Sequence, residues 1–193
     1  MRCSWLFSAK QHVALLFAIC CMLLIGCKAD DNVYREYSCR FIFDTSLHPL
    51  PCQLTGILGH PGHFCKIETF FIKGVRNLRT TRNYDGAVEN VPITTERESQ
   101  LSYILGAGNC LIIGTTSYDS RLVVYEGQCS NCLDNYGGNS YPMTWQNGGQ
   151  QLHCAKCGRT YDVNNGVVVS GDAGRELYSY IVAFDGTVLH AWN

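Results

Sequence analysis

The chain has 193 residues, with 15 lysines and arginines against 16 aspartates and glutamates, which gives a formal net charge of −1. This length suits one domain with a sizeable core. No strongly basic stretch stands out in the sequence, so we expect neither nucleic acid nor heparin-like polymers as partners.

The first 27 residues predict export and attachment to a membrane. Arg2 and Lys10 precede an apolar run at residues 13–26, which is short for a membrane span and typical of a signal sequence. The run ends in Leu-Leu-Ile-Gly-Cys at residues 23–27, which resembles the lipobox of bacterial lipoproteins. The resemblance implies that residues 1–26 are removed, that Cys27 carries lipid, and that residues 27–36 form a tether. An uncleaved anchor helix is the alternative.

Both interpretations place the remaining chain outside the cytoplasm, on a membrane. Cleavage would leave 193 − 26 = 167 residues, with 13 basic and 16 acidic side chains and a formal charge of −3. Residues 28–31, Lys-Ala-Asp-Asp, resemble the charged export tags of some surface lipoproteins; a solvated tether is the alternative. We therefore expect a lipid anchor in the cell envelope of a Gram-negative bacterium, on the periplasmic face or at the cell surface.

From residue 37 onward the sequence predicts short antiparallel strands and little helix. Runs of β-branched and aromatic residues recur along the chain, and Asn165-Gly166 and Asp185-Gly186 stand between such runs, as in hairpins. Residues 94–105 form the best helix candidate, since Thr95 and Glu98 are spaced like a capping box. A strand is the alternative for the end of this segment, because Leu101, Tyr103 and Leu105 alternate. The expected fold is all-β, an antiparallel barrel or sandwich over residues 37–193.

Four cysteines lie apart from any paired motif: Cys39, Cys52, Cys65 and Cys110. An extracytoplasmic location permits disulfides, and Cys39 with Cys52 would close a short loop. Buried free thiols are the alternative, because cysteine packs well as a small apolar residue.

Two C-x-x-C pairs carry the strongest functional signal. Cys129 and Cys132 are followed, after 21 residues, by Cys154 and Cys157. Two such pairs, each on a tight turn, can direct four sulfurs towards one ion, and a sulfur tetrahedron favours Zn²⁺ or iron. Gly158 suits the second turn, where the backbone often needs a positive φ. Two structural disulfides and a thioredoxin-like redox pair are the alternatives.

Residues 128–192 resemble the Rieske-type ferredoxin domain. Five residues fall in register with the second ligand box of that family, C-x-x-H-G-x-x-[FY], namely Cys154, Cys157, Gly158, Tyr161 and Asp162. The hairpins after this box also resemble the family's C-terminal part. The resemblance implies a Rieske-like β fold with a small metal-binding subdomain around residues 128–162 that holds a [2Fe–2S] cluster.

The sequence departs from the Rieske pattern at both ligand boxes. Cys132 and Cys157 stand where the family has histidines, and the first box is one residue longer. Arg159 and Asp172 stand where the family often has serine and proline. Because histidine ligands raise the potential of such a cluster, four thiolates imply a low-potential cluster, a zinc site or a mononuclear iron site.

Other side chains give weaker signals. His153 could replace a cysteine ligand, whereas His60 and His63 fit solvated turn residues as well as a metal site. An aromatic set is expected to pack around the metal: Tyr136, Tyr141, Trp145 and Tyr161. No hydrolase motif is present.

These patterns together predict a Rieske-like, metal-binding envelope lipoprotein rather than an enzyme. Its cofactor would be a structural Zn²⁺, or a [2Fe–2S] cluster that passes electrons to an unidentified protein or redox partner. The alternative is a disulfide-stabilised extracellular binding module without metal.

Overall fold

The computed structural model describes residues 33–193. The predicted signal sequence and Cys27 lie outside the described residues. Within the described range the chain forms thirteen strands, three short α-helices and two 3₁₀-helices, the latter at Ala107–Asn109 and Asn147–Gly149. The strands are β1 (Cys39–Asp44), β2 (Phe64–Ile72), β3 (Val75–Arg82), β4 (Val88–Pro92), β5 (Tyr103–Leu105), β6 (Cys110–Thr115), β7 (Leu122–Glu126), β8 (Met143–Gln146), β9 (Gln151–Cys154), β10 (Thr160–Asp162), β11 (Val168–Ser170), β12 (Ser179–Phe184) and β13 (Val188–Trp192). The α-helices are α1 (Gln53–Ile57), α2 (Glu96–Ser99) and α3 (Ser130–Tyr136).

The strands form two antiparallel sheets, which confirms the all-β prediction. A nine-stranded sheet has the order β4-β3-β2-β6-β7-β12-β13-β1-β5, and a four-stranded sheet has the order β11-β10-β9-β8. The smaller sheet follows the first C-x-x-C pair in the chain and contains the second pair. No helix among residues 33–193 is both long enough and apolar enough to cross a bilayer.

Strand β6 separates two hydrophobic cores. All six of its residues are buried, since side chains on both of its faces are covered. Leu111 and Ile113 belong to the main core, together with Phe41 and Leu189, whereas Ile112 belongs to a second core that contains three of the paired cysteines. The larger sheet therefore supplies one wall of the candidate metal centre.

Both predicted hairpin turns are present. β10 pairs with β11 across the turn that contains Gly166, and β12 pairs with β13 across the turn that contains Gly186. The two glycines have φ values of 73° and 97°, a left-handed conformation that glycine adopts without steric cost.

The helix predicted over residues 94–105 is correct only at its beginning. Thr95 and Glu98 form the expected capping box, but α2 ends at Ser99. Tyr103 and Leu105 instead belong to β5, which pairs with β1. Pairing to β1 buries both side chains, and this long-range contact outweighs the local helical preference.

The ordered contacts of the domain begin before residue 37. The Tyr34 amide donates to the Ser179 carbonyl over 2.9 Å, and the Tyr34 ring stacks on Tyr178 with 3.8 Å between centroids. The last residues of the predicted tether therefore pack against β12.

The unpaired cysteines of the described range are free thiols. None of the four forms a disulfide in the structure, and all are buried: Cys39, Cys52, Cys65 and Cys110. Cys39 and Cys52, the pair that the sequence allows to join, both pack as apolar side chains in the main core.

Candidate metal centre

The first cysteine pair lies at the start of a helix. Cys129 precedes α3, and its carbonyl accepts hydrogen bonds from the amides of Cys132 and Leu133 over 3.1 and 3.0 Å. Cys132 lies in the first turn of the helix. The first pair therefore lies on a tight turn, as expected, but this turn continues as helix over residues 130–136 instead of connecting two strands.

The second pair lies on the predicted tight turn. Cys154 ends β9, and its carbonyl accepts a hydrogen bond from the Gly158 amide over 2.9 Å. The Cys154 amide donates to the Arg159 carbonyl, also over 2.9 Å, so the strand pairing of β9 with β10 closes around the turn. Gly158 has a φ of 72°, which explains the glycine at this position.

The four sulfur atoms of the two pairs converge. All lie within 4.8 Å of one another, and the Sγ–Sγ distance is 3.7 Å both from Cys129 to Cys157 and from Cys132 to Cys154. A tetrahedral site with Zn–S bonds of about 2.3 Å has sulfur–sulfur edges of about 3.8 Å. All four are free thiols. The donor set and its spacing thus form a four-cysteine site compatible with a metal ion such as zinc.

Burial makes this site unfavourable for uncompensated thiolates. Cys129, Cys132 and Cys154 are at most 1% exposed. Burial raises the pKa of Cys129 to about 11 and raises that of Cys132 further. Burial also opposes ionisation of Cys157, but hydrogen bonds from the Arg159 backbone and guanidinium outweigh it and lower that pKa to about 7. A bound cation would stabilise the thiolate forms of Cys129 and Cys132, which burial disfavours.

A hydrogen-bond chain connects Arg175, Asn131 and Tyr161 to Cys129. The Arg175 amide donates to Asn131 Oδ1 over 3.0 Å, and Asn131 Nδ2 donates to the Arg175 carbonyl over 2.7 Å, so the Asn131 amide has one orientation. Asn131 Nδ2 also donates to Tyr161 Oη over 2.9 Å. The Tyr161 hydroxyl also lies 3.1 Å from Cys129 Sγ. When Cys129 is a thiolate it has no proton to give, so the Tyr161 hydroxyl would donate to it, as suits a metal ligand.

A loop at residues 171–176 is fastened to both cysteine pairs. Asn131, between the cysteines of the first pair, binds Arg175 as described. Arg159, two residues after the second pair, donates from Nε to the Asp172 carbonyl over 3.0 Å and from its terminal nitrogen to the Ala173 carbonyl over 3.2 Å. Gly174 lies so close to Asn131 that an added Cβ would be 2.4 Å from its Oδ1.

Sequence reasoning missed the roles of Asn131 and Arg175 in this support. Arg159 was singled out only as a departure from the Rieske pattern. The only sequence signal for its supporting role is the position of Arg159 beside the second cysteine pair. Its hydrogen-bond partners lie thirteen and fourteen residues further along the chain, so no local pattern points to them.

The predicted aromatic set is present around the sulfurs, with different degrees of burial. Tyr161 is fully buried, and Tyr141 and Trp145 pack against the same core. Tyr136 is 60% exposed, with the Lys156 ammonium 5.0 Å above its ring. Tyr161 thus contacts the site directly, Tyr141 and Trp145 pack against its core, and Tyr136 is a surface residue at the end of α3.

The histidines considered as ligands lie outside the sulfur cluster, which among the described residues contains cysteines alone. His153 contacts Thr160 Oγ1 through Nδ1 over 3.3 Å. The rings of His60 and His63 stack on each other with centroids 5.9 Å apart, and His63 also contacts Tyr84.

Comparison with known proteins adds no relative: no protein family matches the sequence, and no curated protein matches it. The site is therefore interpreted from its own geometry.

Proposed function

We propose that this chain is a metal-binding protein in which Cys129, Cys132, Cys154 and Cys157 hold one Zn²⁺. The convergence of the four sulfurs within 4.8 Å carries the proposal. The ion would join the start of α3 to the β9–β10 turn and so fasten the smaller sheet to the rest of the domain. In this role the metal is structural, since structural zinc sites are closed by four protein ligands.

The sulfur spacing favours one ion over a two-iron cluster. A [2Fe–2S] cluster has two thiolates on each iron, so sulfurs on different irons are separated by both metals. In this site the longest sulfur–sulfur distance is within 4.8 Å, and two of the distances, at 3.7 Å, match the edges of a single tetrahedron. A mononuclear centre therefore fits with the least movement of the two cysteine pairs.

The second candidate is a Rieske-like [2Fe–2S] electron carrier. Two observations favour it: the hydrogen bond from Tyr161 to Cys129 would tune a cluster potential, and Cys157 is partly exposed, which gives electrons a short path to a partner. The resemblance of residues 128–192 to Rieske domains supports it as well. Four thiolates would give a low potential.

We further propose that the protein works in the cell envelope as a lipid-anchored domain. Support for this comes from the sequence of residues 13–27, with its apolar run and lipobox-like end. The disulfide-stabilised binding module is a weaker proposal, because all eight cysteines of the described residues are free thiols.

Metal analysis and absorption spectroscopy of anaerobically purified full-length chain test the proposal. We expect a colourless protein with one zinc per chain. Two irons per chain with visible absorption would contradict the structural zinc site and support the [2Fe–2S] electron carrier. Absence of metal, with disulfides at residues 129–132 and 154–157 in mass mapping, would overturn both and favour the binding module.

Cysteine variants test whether the metal supports the fold. We expect Cys129→Ser and Cys157→Ala to lose the metal and to unfold at a lower temperature, because binding energy at a structural site is partly folding energy. Cys39→Ala is the matched control, since it removes a buried free thiol outside the site and leaves the metal bound. Equal melting of the site variants and this control would contradict a structural role.

A further inference from the structure

The hairpin that joins β2 to β3 ends in an exposed apolar tip, formed by residues 71–75. The two strands pair without interruption from Cys65 and Arg82 to Ile72 and Val75. The connecting residues, Lys73 and Gly74, have φ values of 47° and 84°, which gives a tight two-residue turn. Three large apolar side chains at the tip are exposed to solvent: Phe71 at 64%, Ile72 at 47% and Val75 at 39%.

These apolar side chains project from both faces of the hairpin. Phe71 lies opposite Arg76, whereas Ile72 lies opposite Val75, and successive residues of a strand point to opposite faces. A folded protein partner that docks on one face would leave the other face in water. A lipid layer surrounds an inserted tip on all sides and would cover both faces.

Towards its tip the hairpin carries only positive charge, although the chain as a whole is slightly acidic; the nearest carboxylate of its two strands, Glu68, lies opposite Arg79. Residues 69–84 contain four cations and no aspartate or glutamate, namely Lys73, Arg76, Arg79 and Arg82. Among the described residues, no carboxylate forms an ion pair with the first three of these cations. Anionic groups of a partner could therefore approach the hairpin without displacing an internal salt bridge.

The two arginines nearest the tip are held in place by aromatic rings. The Arg76 guanidinium lies 5.3 Å from the ring centroid of Phe71 and 5.5 Å from that of Tyr103. The Arg79 guanidinium lies 4.4 Å from the centroid of Phe70. Such contacts restrict the long side chains before binding and lower the entropic cost of contacting a phosphate.

We propose that the β2–β3 tip inserts shallowly into an anionic lipid surface, with its apolar side chains at the acyl boundary and its cations on headgroup phosphates. At about 3.3 Å per residue, Arg76 stands about 3 Å behind Val75 along the hairpin, within the roughly 5–7 Å headgroup region of one leaflet. Arg79 stands about 13 Å behind Val75, on the aqueous side of that region, where it still attracts an anionic surface. Lys73, at the turn itself, limits the depth, because its ammonium must extend back to the phosphates. The proposal depends neither on the metal nor on lipid attached to Cys27.

A tryptophan placed at the tip tests for lipid contact in the full-length, metal-loaded chain. Phe71→Trp is mixed with vesicles of phosphatidylglycerol and phosphatidylcholine that carry brominated acyl chains, which quench nearby tryptophan. Tyr118→Trp is the matched control: Tyr118 is 82% exposed and lies after β6, at the end of the β2–β6 pair that is opposite the tip. The unsubstituted chain corrects for its three native tryptophans.

We expect strong quenching of the tryptophan at position 71 and little at position 118. This difference is expected with or without lipid attached to Cys27. In the Phe71→Trp background, Lys73→Gln and Arg76→Gln each raise the anionic-lipid concentration for half-maximal quenching about five-fold, the effect of one cation near such a surface. Arg40→Gln, at an exposed cation of β1, leaves that concentration unchanged.

Three results would overturn the proposal. These are quenching no greater at position 71 than at position 118, equal quenching on vesicles of phosphatidylcholine alone, and an equal effect of Arg40→Gln and Arg76→Gln. Absence of lipid contact, together with protection of position 71 by an acidic protein, would assign the tip to a protein partner instead.

Discussion

Replacement of Tyr161 by phenylalanine tests how much its hydroxyl contributes to metal binding. The ring fills the same buried space in the core, and only the hydroxyl that contacts Cys129 Sγ is lost. Asn131 Nδ2, which also donates to this hydroxyl, keeps its hydrogen bond to the Arg175 carbonyl. A hydrogen bond to a charged group contributes about 1.5–3 kcal/mol, and loss of such a supporting contact typically lowers metal affinity by about 10–100-fold. We expect a decrease near the middle of this range, because Cys129 is completely buried and no water can replace the donor.

Competition with a chromophoric chelator measures the zinc affinity of the full-length Tyr161→Phe chain. Tyr125→Phe is the matched control, since Tyr125 is another buried tyrosine of the same core and has no hydrogen bond to a cysteine among the described contacts. The control is expected to bind zinc as the unsubstituted chain does. A Tyr161→Phe affinity within two-fold of the control would refute the inference that this hydroxyl supports a thiolate ligand.

Two further predictions concern stability. Burial raises the pKa of Glu126 to about 7 from the ordinary value of 4.5, so the folded state holds this proton more tightly; its stabilising effect is full below pH 4.5 and is lost as pH rises through 7. In denaturant titrations between about pH 4.5 and pH 8, the unsubstituted chain should lose on the order of 3 kcal/mol relative to Glu126→Gln, and parallel profiles would contradict this. Gly127→Ala places a Cβ 2.2 Å from Cys110 Sγ and should destabilise the fold by about 1–3 kcal/mol, whereas Gly56→Ala, in α1 with its nearest neighbour at 3.5 Å, should stabilise it by about 0.5–1 kcal/mol. Equal melting temperatures for the two alanine variants would contradict the assignment of close packing at Gly127.

The all-β class could be predicted because its signals are local. Asn165-Gly166 and Asp185-Gly186 specify tight turns within a few residues, and the flanking β-branched runs pair across them. The capping box of Thr95 and Glu98 is equally local and was found correctly. The end of α2 stayed ambiguous in the sequence, where Leu101, Tyr103 and Leu105 also alternate as in a strand. The contact that decides for a strand is the pairing of Tyr103 with Phe41, sixty-two residues earlier in the chain, which no local pattern indicates.

The order of the strands could not be read from the pattern of apolar residues. β1 lies between β5 and β13, and the alternation within each strand is compatible with many neighbours. The burial of every residue in β6 could not be predicted either. It requires the smaller sheet to cover the face of β6 that the main core leaves open.

By itself the sequence determined the donor set of the candidate metal centre, because two C-x-x-C pairs bring sulfurs together through turns of only a few residues. Only the tertiary structure decided how the centre is supported. Asn131 and Arg175 are forty-four residues apart, and their contact depends on how α3 and the 171–176 loop pack. The same holds for the β2–β3 tip, whose apolar residues look like core residues in the sequence and are exposed because the hairpin ends beyond its neighbours. Turns are specified by a few neighbouring residues, whereas the burial of a side chain depends on how distant parts of the chain pack together.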